Sequence, residues 1–111
     1  MWLMTNQGLV SVVQDRADAD TLLVRARQAG LLEHMLAEAD LSAAHVWEDT
    51  TADYRYRCKL SRPEFMALVQ VQISRIDYDN FKNSVPDKRL ASLYSQVWTT
   101  MAELQRGDSA P

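Results

Sequence analysis

Two stretches of the chain alternate cations with apolar or aromatic residues: Val24-Arg25-Ala26-Arg27 and Tyr54-Arg55-Tyr56-Arg57-Cys58-Lys59. A period of two marks a β-strand with one buried face. In the first stretch Leu22, Val24 and Ala26 share a face, opposite Arg25 and Arg27. In the second, Tyr54, Tyr56, Cys58 and Leu60 oppose Asp53, Arg55, Arg57 and Lys59. Two such strands in one sheet would put five cations on a single face.

The rest of the pattern supplies the other elements. Met1 to Thr5 is apolar, Asn6-Gln7-Gly8 is a turn in which Gly8 is free to take positive φ, and Leu9-Val10-Ser11-Val12-Val13-Gln14 is rich in β-branched residues. Together they predict an opening hairpin. Asp15 to Asp20 is a charged loop. The good helix formers of Thr21–Arg27 also allow a helix from Asp20 to Ala39. The clean two-face split favours a strand ending near Arg27, followed by a helix from Ala29 to Ala39 that buries Leu31, Leu32, Met35 and Leu36. Ala44–Asp49 and Asp53–Leu60 read as strand segments joined by Thr50-Thr51-Ala52.

Ser61-Arg62-Pro63-Glu64 starts a second helix, with Ser61 as cap and Glu64 at the capping-box position. Its stripe is Phe65, Leu68, Val69, Ile73 and Ile76. Asp77 to Lys82 bends the path, and Pro86 opens a last helix. Leu90, Tyr94, Val97, Met101 and Leu104, with Trp98 alongside, form an amphipathic stripe assigned mainly to the core. The order predicts an α+β fold, a single antiparallel sheet of about four or five strands with two or three helices packed on one face. It places one domain over residues 1–105 and a flexible tail over 106–111.

The chain has 111 residues, 47% hydrophobic and 24% charged, with a net charge of −3. That composition fits an ordinary globular domain and argues against a globally basic nucleic-acid binder, while leaving room for a local basic patch. One cysteine allows no internal disulfide. Met1-Trp2-Leu3-Met4-Thr5-Asn6 lacks the basic region and apolar run of a secretory signal, and no run is long enough to span a membrane. The expected location is the cytoplasm, without membrane association.

Several strings resemble a family of small uncharacterised bacterial proteins of roughly this length. They are Met1-Trp2-Leu3 with Gly8 and Ser11-Val12-Val13, Val24-Arg25-Ala26-Arg27, Asp53-Tyr54-Arg55-Tyr56-Arg57, Ile76-Asp77-Tyr78-Asp79-Asn80-Phe81-Lys82, and Tyr94 with Val97-Trp98 and Met101. The match runs over nearly the whole chain, and Asp77–Lys82 is its most specific part. Asp15–Asp20 and Val85–Arg89 are shorter than the family pattern. The resemblance implies a single cytoplasmic domain and no mechanism.

Arg25, Arg27, Arg55, Arg57 and Lys59 form the first candidate site, an anion-binding sheet face. Guanidinium forks match phosphate geometry, and a row of them can follow a nucleic-acid backbone. The plainer alternative is a solvated face whose cations pair with carboxylates. An RNA-recognition sheet also needs exposed aromatics, and the alternation turns Tyr54 and Tyr56 away from the arginines. The facing of Trp2 and Trp47 cannot be read from the sequence.

Asp77, Tyr78, Asp79, Asn80, Phe81 and Lys82 form the second candidate. The carboxylates suit a hard cation such as Mg²⁺, but the glycine and closing glutamate of a calcium loop are missing. The alternative is a capped corner anchored by Tyr78 and Phe81. Cys58 shares the tyrosine face and reads as a buried hydrophobe, with no histidine spaced to activate it. His34 and His45 lack a second ligand at metal spacing, and His34 with Glu38 does not complete a site.

No catalytic set, metal site or cofactor motif can be assembled. The sequence therefore ranks a non-enzymatic binding or regulatory module first, with nucleic acid, a nucleotide or an acidic protein as its ligand. A protein–protein interaction module follows, as a homodimer or an inhibitor-like phosphate mimic. A small metal-dependent enzyme using Asp77 and Asp79 comes third.

Overall fold

A computed structural model describes residues Met1 to Asp108. The chain has an α+β fold, with one open antiparallel sheet of five strands and three principal helices. The strands are β1 (Trp2–Met4), β2 (Leu9–Gln14), β3 (Thr21–Ala26), β4 (Trp47–Glu48) and β5 (Tyr56–Ser61), in the order β1-β2-β3-β5-β4. The helices α1 (Leu31–Glu38) and α2 (Arg62–Ser74) belong with the sheet in a compact unit of residues Met1–Asp77. A second compact unit begins at Tyr78 and contains a short 3-10 helix (Lys82–Ser84), α3 (Lys88–Met101) and α4 (Glu103–Asp108). The division falls inside the stretch read from the sequence as one domain. Of the expected tail, Arg106 to Asp108 are helical, and Ser109 to Pro111 lie outside the described residues.

Residues Thr21 to Ala26 are a strand, as the two-face split predicted, and not the start of a long helix. Its pairing with β2 sets Val10 opposite Ala26 and Val12 opposite Val24; pairing with β5 sets Val24 opposite Cys58 and Leu22 opposite Leu60. These residues line the inner face of the sheet. They pack against Leu31, Leu32, Met35 and Leu36 of α1 and Phe65 and Leu68 of α2. Gly30 enters α1 at φ 81°, a backbone conformation that favours glycine. Gly8 is needed for a different reason from the one expected. It is not at positive φ; a Cβ there would lie 2.5 Å from Leu31 Cδ2 and 2.3 Å from Gln28 Oε1.

The capping box of α2 is present on both sides. Glu64 N donates to Ser61 Oγ at 3.2 Å, and Ser61 N donates to Glu64 Oε1 at 2.8 Å. The stripe of α2 is shorter than its spacing suggested. Phe65 and Leu68 are buried, but Ile73 is 62% exposed and Ile76 is exposed with it. Periodicity identified the apolar face without indicating how far the neighbouring elements would cover it. The same holds in the second unit. Leu90 and Tyr94 are buried, whereas Val97, Trp98, Met101 and Leu104, expected in the core, are exposed. Asp87, one residue beyond Pro86, caps α3 by accepting from Leu90 N at 2.8 Å.

These burials predict unequal responses to truncation. Leu68→Ala should destabilise the protein by about 2–5 kcal/mol, because it empties a packed site. Ile73→Ser should change stability by no more than about 0.5 kcal/mol. Urea unfolding followed by circular dichroism measures both.

Candidate functional site

The strand pairings assign a facing to every side chain on the outer side of the sheet. Trp2 pairs with Ser11, Ser11 with Arg25, Arg25 with Arg57, and Arg57 with Trp47. One line across all five strands therefore reads Trp2, Ser11, Arg25, Arg57, Trp47. The two tryptophans, whose facing the sequence left open, lie on the arginine face at the two edge strands. Trp2 is 72% exposed and Trp47 41%. Leu23 and Lys59 pair in the neighbouring line on the same face.

The five predicted cations have different surroundings. Arg25 donates from Nη2 to Ser11 Oγ at 2.7 Å, and its guanidinium lies 4.8 Å from the centre of the Tyr54 ring. Its Nε is buried and has no hydrogen-bond partner among the described residues. Arg27, just beyond β3, lies 4.2 Å from the same ring and donates from Nε to the Asp53 carbonyl at 3.1 Å. Arg55 pairs with Glu48 at 2.6 Å, which pushes the guanidinium pKa up through that hydrogen bond. Lys59 pairs with Asp15 at 3.2 Å. Arg57 makes no side-chain hydrogen bond or ion pair among the described residues. It still helps to lower the pKa of Asp49, whose main cause is the Thr51 hydroxyl.

Tyr54 is the principal correction. The alternation turns it away from the arginines into the core; it is buried, at 6% exposure, but beneath two of those arginines. The cause is local. Asp49 accepts from both the backbone N and the hydroxyl of Thr51, and Asp49 N donates to the Arg55 carbonyl. This turn occupies residues read as strand on both sides, so regular alternation starts only at Tyr56. Tyr56 itself faces inward and packs against the core. The expected segment Ala44–Asp49 contributes only Trp47 and Glu48 to the sheet.

Like charges directly opposite on neighbouring strands are unfavourable. Arg25 and Arg57 stand so, with no carboxylate bridging them. The neutralised cations, Arg55 and Lys59, flank this pair. The centre of the face is thus a concentrated positive site flanked by exposed indole rings. Such a surface can hold a phosphate between two guanidiniums and stack planar groups at its rim.

The second candidate string begins at Asp77, the last residue of the first unit, and runs on into the second, where it serves several local roles. Asn80 Oδ1 accepts from Asn83 N at 3.1 Å, tying the residue before Phe81 to the 3-10 helix. Phe81 packs between Tyr78, 6.1 Å away, and Tyr94, on which it stacks at 5.7 Å. Lys82 Nζ lies 4.1 Å from the centre of the Trp98 ring. Asp77 and Asp79 are exposed. Among the described residues no three His, Cys, Asp or Glu side chains gather to hold a metal. Cys58 is buried, which pushes its thiol up to about 12. His34 is exposed, 3.2 Å from Gln7 Nε2 and 3.6 Å from Glu38, and Glu38 also pairs with Arg75. His45 is exposed in a turn. No helix of the described residues is long and apolar enough to cross a membrane.

The Lys59–Asp15 pair gives a pH prediction. The Lys59 hydrogen bond is the main cause holding Asp15 below its ordinary value. A depressed carboxyl stabilises the fold above the unfolded-state pKa, and the contribution is lost as pH falls through the folded-state value. Lys59→Met should raise the Asp15 pKa toward the ordinary value and reduce this acid-dependent loss. A carboxyl NMR titration with acid unfolding reads both effects.

No known protein family, curated protein or solved structure matches the chain.

Proposed function

We propose that the outer sheet face binds a phosphate-bearing anion, with nucleic acid as the ligand class, and that the protein is a non-enzymatic binding or regulatory module. The observation that carries this reading is the Arg25–Arg57 pair, set side by side on neighbouring strands without a carboxylate between them. A bound phosphate would relieve their repulsion, and two forked donors match its geometry. The net charge of −3 restricts attraction to this face and predicts modest affinity.

Fluorescence anisotropy of a labelled single-stranded oligonucleotide tests the reading. Two or three phosphate contacts give a slope of log affinity against log salt of about −1.4 to −2.1. Arg57→Gln, which removes no internal hydrogen bond, should weaken binding and reduce the slope by about 0.7. Absence of binding at low salt would remove nucleic acid as the ligand.

A second reading has its own observation. Tyr94, Val97, Met101 and Leu104 are spaced three, four and three, and the last three are exposed with Trp98 and Leu93. This repeat suits an apolar seam between helices. We propose that α3 and α4 can pair with the same helices of a second copy. Light scattering should then give twice the chain mass at high protein concentration, and Met101→Glu should restore the monomer. A monomer at every concentration would refute the pairing.

A further inference from the structure

We infer that the occupant of the sheet face is a single strand of nucleic acid laid across the β-strands, one unpaired base stacked on Trp2 and another on Trp47. The inference rests on the anion-binding reading and specifies its ligand.

The argument starts from register. The five residues Trp2, Ser11, Arg25, Arg57 and Trp47 occupy one line perpendicular to the strands. Four interstrand gaps separate the tryptophans, a span of about 19 Å. At stacked spacing about six nucleotides cover that distance, and a stretched strand needs fewer. The guanidiniums lie near the middle, where the backbone joining two stacked bases would pass. A nucleotide or free phosphate is too short to use both ends. A ligand that engages the whole line must be extended, negatively charged in its centre and planar at both ends.

The rim residues favour this occupant over an acidic peptide. Trp2 and Trp47 stand on β1 and β4, the two edge strands, where no further strand covers them. Exposed indoles offer stacking surface to any unpaired base. An acidic peptide built of charged residues alone would use the arginines and leave the rings uncovered. A duplex would present its phosphates while keeping its bases within its own stack, out of reach of the rings.

The test uses the full chain carrying Trp98→Phe. Trp98 belongs to the second unit, so emission then comes from the two rim tryptophans alone. Oligothymidylate of about eight nucleotides, within the usual site size, is compared with a dinucleotide and with a duplex of equal length. The longer strand should quench the emission and bind about tenfold more tightly than the dinucleotide. Trp47→Ala and Trp2→Ala should each weaken it about tenfold, while Trp47→Phe and Trp2→Phe, which keep a ring, should retain most of the affinity. Circular dichroism confirms that each variant is folded, and the phenylalanine pair keeps the test decisive if an alanine variant is not.

The outcomes separate the two claims. Equal binding of the dinucleotide and the longer strand, or indifference to both tryptophans, with affinity still reduced by Arg57→Gln, would overturn the crossing strand and leave the anion site. Tighter binding of duplex than of single strand would overturn it as well. Binding indifferent to Arg57→Gln would overturn the anion site and this inference together.

Discussion

The antiparallel pairing of β3 with β5 is the constraint on which the rest depends. It places Val24 opposite Cys58 in the core and, one residue later, Arg25 opposite Arg57 on the outer face. Side chains of a strand alternate, so the two placements are inseparable. A slip of one residue in both strands would turn the arginines under α1 and α2, where unpaired charges cost several kcal/mol each. The core therefore locks the register, and the register forces two like charges together. Part of that repulsion is met locally, since Arg25 is tied to Ser11 and rests on Tyr54.

Several carboxylates of this acidic chain serve its backbone and not its basic strip. Asp49 closes the turn before β5, Asp18 binds the Thr21 hydroxyl, and Asp87 caps α3. Glu64 completes the capping box of α2. Each of these oxygens accepts a local hydrogen bond that shapes the backbone. The carboxylates that do reach the outer cations, Asp15 and Glu48, approach from the loop after β2 and from the edge strand β4. They neutralise Lys59 and Arg55 at the periphery and leave the central pair without a direct ion pair, Asp49 acting on Arg57 only from a distance. Net charge describes the whole surface; a ligand a few ångströms from Arg57 responds chiefly to the local field, because salt screens more distant charges.

Local sequence made much of this fold legible. The β-branched run of β2 and the Ser61–Glu64 box needed no tertiary information, and both appear where the residues placed them. The strand at Thr21–Ala26 was harder, because its helix formers are overruled by pairing with strands on both sides. One limit is the turn before β5, which breaks the period of two that would otherwise place Tyr54. The exposed ends of α2 and α3 reflect a second limit: an apolar stripe has the same spacing whether the molecule covers it or leaves it open. Trp2 and Trp47 could not be placed from the sequence, because the facing of short strands is set by their partners.

The two central arginines are not equivalent, and the difference separates folding from binding. Arg25 is held by a hydroxyl and by an aromatic ring, so its guanidinium is already oriented. Removing it would uncover Tyr54 and leave the buried Ser11 hydroxyl without that donor, a structural loss before any ligand arrives. Arg57 has no such ties and carries up to about 2 kcal/mol of rotamer entropy, part of which a ligand must remove. A tied and an untied guanidinium on neighbouring strands give the face one oriented donor and one without a hydrogen bond to hold it. In the proposed anion site, that combination would tolerate variation in where a phosphate sits. It suits a backbone read without regard to sequence better than a single small molecule held in one pose.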